Sequence, residues 1–331
     1  MLDRFGPALV LRTGACLFGG GLILCGFSSS LPWFFVCYSF IVCGGAGLTY
    51  CAVLMNINNF YPDKRGSASG LVTACYGLSA VFLSPVSTYL IGAFGVLYAY
   101  KMLGAFFFAI ILCSSFFIKR APFDDAETLN GPHFHNDIDI SWNDMIKTKQ
   151  FSVIFSLMII GASAGLMIIS QAAVLAQYMM GAGAVKAAYT LSLIAVANTL
   201  GRILWGGISD RIGRNMALHF IYVTFAVALI GLSLISVQYA LFTLFAMMVT
   251  FCYGGIASTF PAIISEHFGS RHSGTNYGIA LIGIGLGSFI GTPLIALSHS
   301  LTPGNFDLAF LVSAALCGFG FFLTFALKKL K

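Results

Sequence analysis

Ten runs of apolar residues, each about 20 long, constrain this chain more than any other feature. They can be drawn at 9–28, 32–56, 68–92, 98–118, 151–178, 187–208, 216–235, 239–263, 276–298 and 308–327. A bilayer's hydrocarbon core is about 30 Å thick, and an α-helix of about 20 residues crosses it. No water is present there to satisfy backbone N–H and C=O groups. Only helices or closed barrels therefore span it, and runs of this length select helices. The charged residues agree, at 8% of the 331 against roughly 25% in soluble domains. The expected fold class is an all-α integral membrane protein with about ten transmembrane helices.

The stretch Lys119 to Gln150 is the only long polar segment. It divides the chain into an N-terminal bundle of four spans at 1–118, a linker at 119–150 and a C-terminal bundle of six spans at 151–331. His133 and His135 within it could be read as metal ligands, but a solvated linker with incidental histidines is the favoured reading and no metal or cofactor is expected. Ser141 to Lys147 is expected to form a short surface helix. The nine cysteines lie almost wholly inside apolar runs without metal spacing, and are read as small packing residues. Gly-rich stretches such as Gly44-Gly45-Ala46-Gly47 favour close helix packing.

The net charge of +6 comes from scattered short clusters between the runs, which marks topology and not nucleic-acid binding. With the linker cytoplasmic, Arg4, Arg12, Lys64, Arg65, Lys119, Arg120, Lys147, Lys149, Arg211, Arg214, Arg271, Lys328, Lys329 and Lys331 lie inside. Lys101 and Lys186 lie outside, and Arg202 lies within a span, so 14 + 2 + 1 accounts for all 17. Positive charge concentrates on the cytoplasmic side of membrane proteins. Both termini are therefore expected in the cytoplasm and the chain in the cytoplasmic (plasma) membrane, the inner membrane of a bacterial cell. Asp3 beside Arg4 and the Gly6-Pro7 turn argue against a cleavable leader.

Asp3-Arg-Phe-Gly6 followed by an apolar run recurs as Asp210-Arg-Ile-Gly213, an offset of 210 − 3 = 207. Gly70, Gly77 and Pro85 recur as Gly278, Gly285 and Pro293, an offset of 278 − 70 = 208. Two halves sharing one plan is a common transporter architecture. Two spans precede Asp210 in its half and none precedes Asp3, so the chain reads as spans three to twelve of a twelve-span plan.

A charge near the centre of a span is costly by at least ~2.5 kcal/mol, so an ionisable residue there is a functional candidate. Arg202 is the only one well inside a span. It lies roughly 9 Å from the expected span end, at 1.5 Å per residue, so snorkelling to the interface is the competing reading. Its planar guanidinium can hold a carboxylate through two parallel hydrogen bonds, which Lys cannot match. Asn198 lies one helical turn away. Gln171, Tyr277, Tyr76 and Tyr50 are polar groups within spans that could hydrogen-bond the same substrate, or simply be satisfied by neighbouring helices. Asp3, Arg4, Asp210, Arg211 and Arg214 sit at the expected cytoplasmic surface, where ion pairs and helix-end contacts between bundles could gate the carrier. Nucleophilic triads, nucleotide loops and metal spacings are absent from the sequence, so an enzyme is not expected.

Asp3-Arg-Phe-Gly and Ser209-Asp-Arg-Ile-Gly-Arg214 resemble the loop motif of major facilitator superfamily transporters. Tyr61 to Leu71 and Gly165 to Gln171 further resemble the oxalate/formate antiporter family, relatives of the monocarboxylate porters. The first motif departs from the pattern, because Pro7 and Ala8 follow Gly6 where a second basic residue is usual. The resemblance implies a cavity between two bundles that opens alternately to each side and carries a small organic anion. It also makes Arg202 the match of an arginine implicated in anion binding in the monocarboxylate porters, and Asn198 the match of a proton-coupling acid. Oxalate-type members carry a lysine in the span matching 276–298, where this chain has none and Ile284 stands near the position.

One cation suits a monocarboxylate such as lactate, pyruvate or formate, because a second buried carboxylate would be left unpaired. With no Asp or Glu in any drawn span, exchange or facilitated transport fits better than proton symport. The expected partners are a small carboxylate and the lipid bilayer, with the chain a monomer and no nucleic acid bound. Alternatives are an inactive remnant of such a transporter, or a signalling or interaction protein built on its scaffold.

Overall fold

The computed structural model describes residues 2–121, 139–181, 184–234, 238–302 and 305–330. His133 and His135, with most acids of the linker, lie outside the described residues. No strand occurs among those described, and nine of the helices are long and apolar enough to cross a membrane.

In chain order the N-terminal half contains α1 (Leu2–Phe5), α2 (Pro7–Cys25), α3 (Leu31–Val36), a π-helical turn Cys37–Val42, α4 (Cys43–Phe60), α5 (Arg65–Phe94) and α6 (Val96–Phe117). The π-helical turn joins α3 to α4 without a break, so 31–60 acts as one span. The segment expected at 68–92 is the 30-residue α5. A short surface helix, α7 (Trp142–Met145), stands where the sequence places one, with Trp142 exposed.

The C-terminal half contains α8 (Lys149–Met180), α9 (Ala184–Ile212), α10 (Arg214–Leu234), α11 (Tyr239–Phe268), α12 (Ser273–Ala280), α13 (Ile282–Leu301) and α14 (Asp307–Lys329). The Thr148 hydroxyl accepts from the Phe151 N–H at 3.1 Å, satisfying one of the orphan donors at the start of α8. Pro85, Pro261 and Pro293 lie inside α5, α11 and α13.

Each motif loop is a single residue in the left-handed region, Gly6 at φ 79° and Gly213 at φ 89°. A side chain there would strain the backbone. Gly6 joins α1 to α2 and Gly213 joins α9 to α10, so the sharp turn keeps the two acids of the motifs at one end of the molecule.

The main apolar core lies in the C-terminal half. Ile154, Leu157, Tyr222, Phe225, Phe260 and Phe310, from α8, α10, α11 and α14, are at most 1% exposed. The N-terminal half has two smaller clusters, one around Leu22, Cys25, Cys37 and Val42 and one around Val10, Leu11 and Ala52.

The halves meet chiefly where α5 crosses α9. A Cβ on Gly206 would stand 2.3 Å from the Gly66 carbonyl oxygen, and one on Gly70 would stand 2.4 Å from the Arg202 carbonyl oxygen. Only bare backbone permits that approach.

Candidate functional site

Two carboxylates close the end of the molecule that carries the motif loops, and each reaches across to the other half. Asp210, near the end of α9, accepts hydrogen bonds at α5's start from Gly66 N–H at 2.9 Å, Ser67 N–H at 2.7 Å and the Ser67 hydroxyl at 2.5 Å. Asp3, in α1, repeats the arrangement at α12: Gly274 N–H at 3.0 Å, Thr275 N–H at 3.0 Å and the Thr275 hydroxyl at 2.6 Å donate to it. A helix start offers unpaired N–H groups and the positive end of its dipole, so a carboxylate is the natural occupant. Gly66 and Gly274 allow the approach, since a Cβ on the first would meet the Arg214 guanidinium at 2.4 Å and one on the second would meet Leu2 at 2.7 Å.

The two caps differ in charge. Arg214 pairs with Asp210 at 2.7 Å and with Glu266 at 2.9 Å, and it donates to the Ser209 hydroxyl at 2.6 Å. Pro7 occupies the matching position beside Asp3, and the counterpart of Glu266 at offset 266 − 208 = 58 is Asn58, which accepts from the Ser69 hydroxyl at 2.8 Å. Neither matching position carries a charge in the first half, where Arg120 instead donates to the Asp3 backbone carbonyl at 3.2 Å. Losing both base and acid leaves no buried charge orphaned, the chemically consistent way to lose such a pair.

Glu266 lies beyond the apolar run that ends at 263 and gave no signal in the sequence; α11 runs on to Phe268 and carries Glu266 to Arg214. Arg211 is exposed and joins no ion pair among the described residues. The Arg4 side chain lies outside what is described.

About 15 Å into α9 from Ile212, at 1.5 Å per residue, the guanidinium of Arg202 is half-buried and does not reach for the helix end. Its Nε donates to Asn198 Oδ1 at 2.8 Å and its Nη1 donates to the carbonyl of Thr73 on α5 at 2.8 Å. Thr73 is fully buried, with its own hydroxyl turned back to the Ser69 carbonyl at 2.8 Å.

Tyr50 of α4 and Tyr253 of α11 lie within electrostatic reach of Arg202, and the hydroxyls of Tyr50 and Tyr277 approach each other. Tyr76 sets its ring edge-on to Tyr50, with centroids 5.4 Å apart. Arg202, Asn198, Tyr50, Tyr277 and Tyr76 are thus brought into one neighbourhood, and Tyr253 joins them. Tyr253 gave no sequence signal beyond being a polar group inside a span.

Gln171 lies elsewhere. It borders a separate cavity of about 210 Å³ with His299, Ile295 and Phe306. Along α8 it stands roughly 33 Å from the end where the caps sit, and Arg202 roughly 15 Å from that end. Ile284, in segment 276–298, packs against the core of the C-terminal half. Among the described residues there is no cluster of three or more His, Cys, Asp or Glu that could hold a metal ion.

The family model of the Major Facilitator Superfamily matches residues 1–292 of the chain. The chain belongs to the major facilitator superfamily. Its relatives include the uncharacterized MFS-type transporter YhjX of Escherichia coli K12, 27% identical across 86% of this chain and 70% of that one. The oxalate:formate antiporter of Oxalobacter formigenes is also 27% identical, covering 88% of this chain and 71% of that one. Rat monocarboxylate transporter 13 is 22% identical across 97% and 74%.

In fold, the chain resembles the Escherichia coli fucose:proton symporter with a TM-score of 0.75 and 14% identity, covering 98% of this chain and 85% of that one. It resembles the proton:xylose symporter XylE with a TM-score of 0.76 and 13% identity, across 98% and 81%. This major facilitator protein is therefore an integral membrane transporter and not an enzyme.

Proposed function

We propose that this transporter carries small monocarboxylates, such as lactate, pyruvate or formate, by alternating access, with Arg202 as the anion site. The carrying observation is the guanidinium of Arg202, inside a span where the two halves meet, hydrogen-bonded to Asn198 and to the Thr73 carbonyl and within electrostatic reach of Tyr50 and Tyr253. A charge at that depth is costly without a function, and a guanidinium matches a carboxylate's geometry. Segment 276–298 adds no Lys or Arg, so a dicarboxylate would leave one charge unpaired.

Similarity to the oxalate:formate antiporter and to monocarboxylate transporter 13 supports the substrate class. Asn198 stands one turn from Arg202 as a neutral acceptor, which favours exchange over proton symport. The distribution of basic residues supports an orientation with both termini and the two caps on the cytoplasmic side of the plasma membrane, and in that orientation Asp3, Asp210 and Arg214 act as the cytoplasmic gate.

Reconstituted into liposomes, the chain should take up labelled lactate or formate in exchange for the same anion inside. Arg202→Gln should abolish that uptake, whereas uptake surviving with unchanged apparent affinity would remove Arg202 from the site. Oxalate carried in preference to both monocarboxylates would overturn the one-cation argument.

A further inference from the structure

We propose that the Thr73 carbonyl is the resident ligand of Arg202 in the unloaded carrier, and that a substrate carboxylate displaces it, releasing α5 from α9. The inference rests on Arg202 being the anion site. The hydrogen bonds described between the halves include the two caps and the bond from Arg202 Nη1 to the Thr73 carbonyl at 2.8 Å. Arg202 alone uses the group that would receive the anion.

Of the five guanidinium N–H groups, one at Nε and one at Nη1 are engaged, so a carboxylate that takes the Nη1 side competes with the Thr73 carbonyl for it. Asn198 travels with Arg202 on α9, whereas Thr73 belongs to the other half and offers only a neutral carbonyl inside its own helix. A carboxylate brings a full negative charge and two oxygens to the guanidinium where the carbonyl brings only a dipole, so the carbonyl is the group that gives way.

The geometry ties this exchange of ligands to the gate. α5 and α9 touch through bare backbone at Gly70 against Arg202, and at Gly66 against Gly206. The Thr73 bond cannot survive their separation. Unloaded, the carrier is held shut at this end by the caps and by Arg202 together; loaded, it has given up the third tie. A hydrogen bond to a charged group amounts to roughly 10- to 150-fold in an equilibrium. That factor suppresses return of the empty carrier, and exchange outruns net flux.

The test weakens the carbonyl and leaves every side chain in place. Replacing Ala74 by its α-hydroxy analogue makes the 73–74 linkage an ester, whose carbonyl is a poor acceptor. The same change at Val72 weakens the Leu71 carbonyl, which makes no bond across the halves among those described, and serves as the control. Spin labels at Lys64→Cys and Ile212→Cys, both exposed positions on opposite halves, report α5–α9 separation in the chain with its nine native cysteines replaced.

Without anion, the Ala74 ester should raise the separated population about tenfold or more over the Val72 ester. It should also raise net efflux of labelled lactate relative to lactate exchange. Equal distance distributions and equal flux ratios for the two esters would overturn the proposal. Failure of the unmodified chain to move lactate, formate or oxalate would instead remove the carboxylate reading, since the label distance is measured with no anion present.

Discussion

Asp3 and Asp210 make the same three hydrogen bonds across the halves but in different charge environments, so their removal should have separable effects. In each Asp→Asn change, one acceptor oxygen and the negative charge are lost at a helix start. A hydrogen bond to a charged group contributes about 1.5–3 kcal/mol and a neutral one about 0.5–1.5 kcal/mol. Asp3 has no ion-pair partner among the described residues, and the loss there should total about 2–3 kcal/mol. At 1.36 kcal/mol per tenfold, Asp3→Asn should open this end roughly 30- to 150-fold.

Arg214 stays with Asp210 at 2.7 Å whether the end is open or closed, because both belong to the C-terminal half. It offsets much of the charge that α5 would feel, leaving about 1–2 kcal/mol, or roughly 5- to 30-fold in opening. The fold should respond in the opposite order. Asp210→Asn leaves the side chain of Arg214, 9% exposed, with Glu266 as its one remaining carboxylate among the described residues, and removing one partner of a buried ion pair is destabilising. Distances between spin labels at Lys64→Cys and Ile212→Cys would give the opening, and thermal unfolding in detergent the stability. A larger opening for Asp210→Asn than for Asp3→Asn would refute the claim that Arg214 discharges the cap.

Turnover should fall in Asp210→Asn with the preference among carboxylates unchanged, and unchanged turnover would count against a gating role. Gly66→Val should hold the same end open, because its Cβ would meet Arg214 at 2.4 Å and the Gly206 carbonyl at 2.5 Å; the spin-label distance checks it. Tyr253→Phe is expected to raise the KM for lactate several-fold with little change in protein yield, and an unchanged KM would remove it from the site. Gln171→Leu should alter that KM less than twofold, as Gln171 borders the cavity with His299 and stands apart from Arg202.

Much of this molecule was legible along the chain because the bilayer imposes a local rule. Every backbone polar group must be satisfied within its own helix, so apolar runs of about 20 residues announce spans without knowledge of their neighbours. The repeat was legible for a similar reason: the same turn, Asp-Arg-x-Gly with glycine in the left-handed region, is needed twice. Arg202 stood out because charge is rare in a span.

Sequence by itself therefore determined the all-helical membrane fold, the two motif loops and Arg202 as a cation deep in a helix. Only the tertiary structure decided which groups meet. It brought Asp210 to a helix start 144 residues away and Asp3 to one 271 residues away. It carried Glu266 to Arg214, set Tyr253 beside Arg202 and left Gln171 with His299. Such contacts depend on which helix faces turn toward each other and on where bare glycine backbone lets them touch, and neither is written as a spacing along one helix.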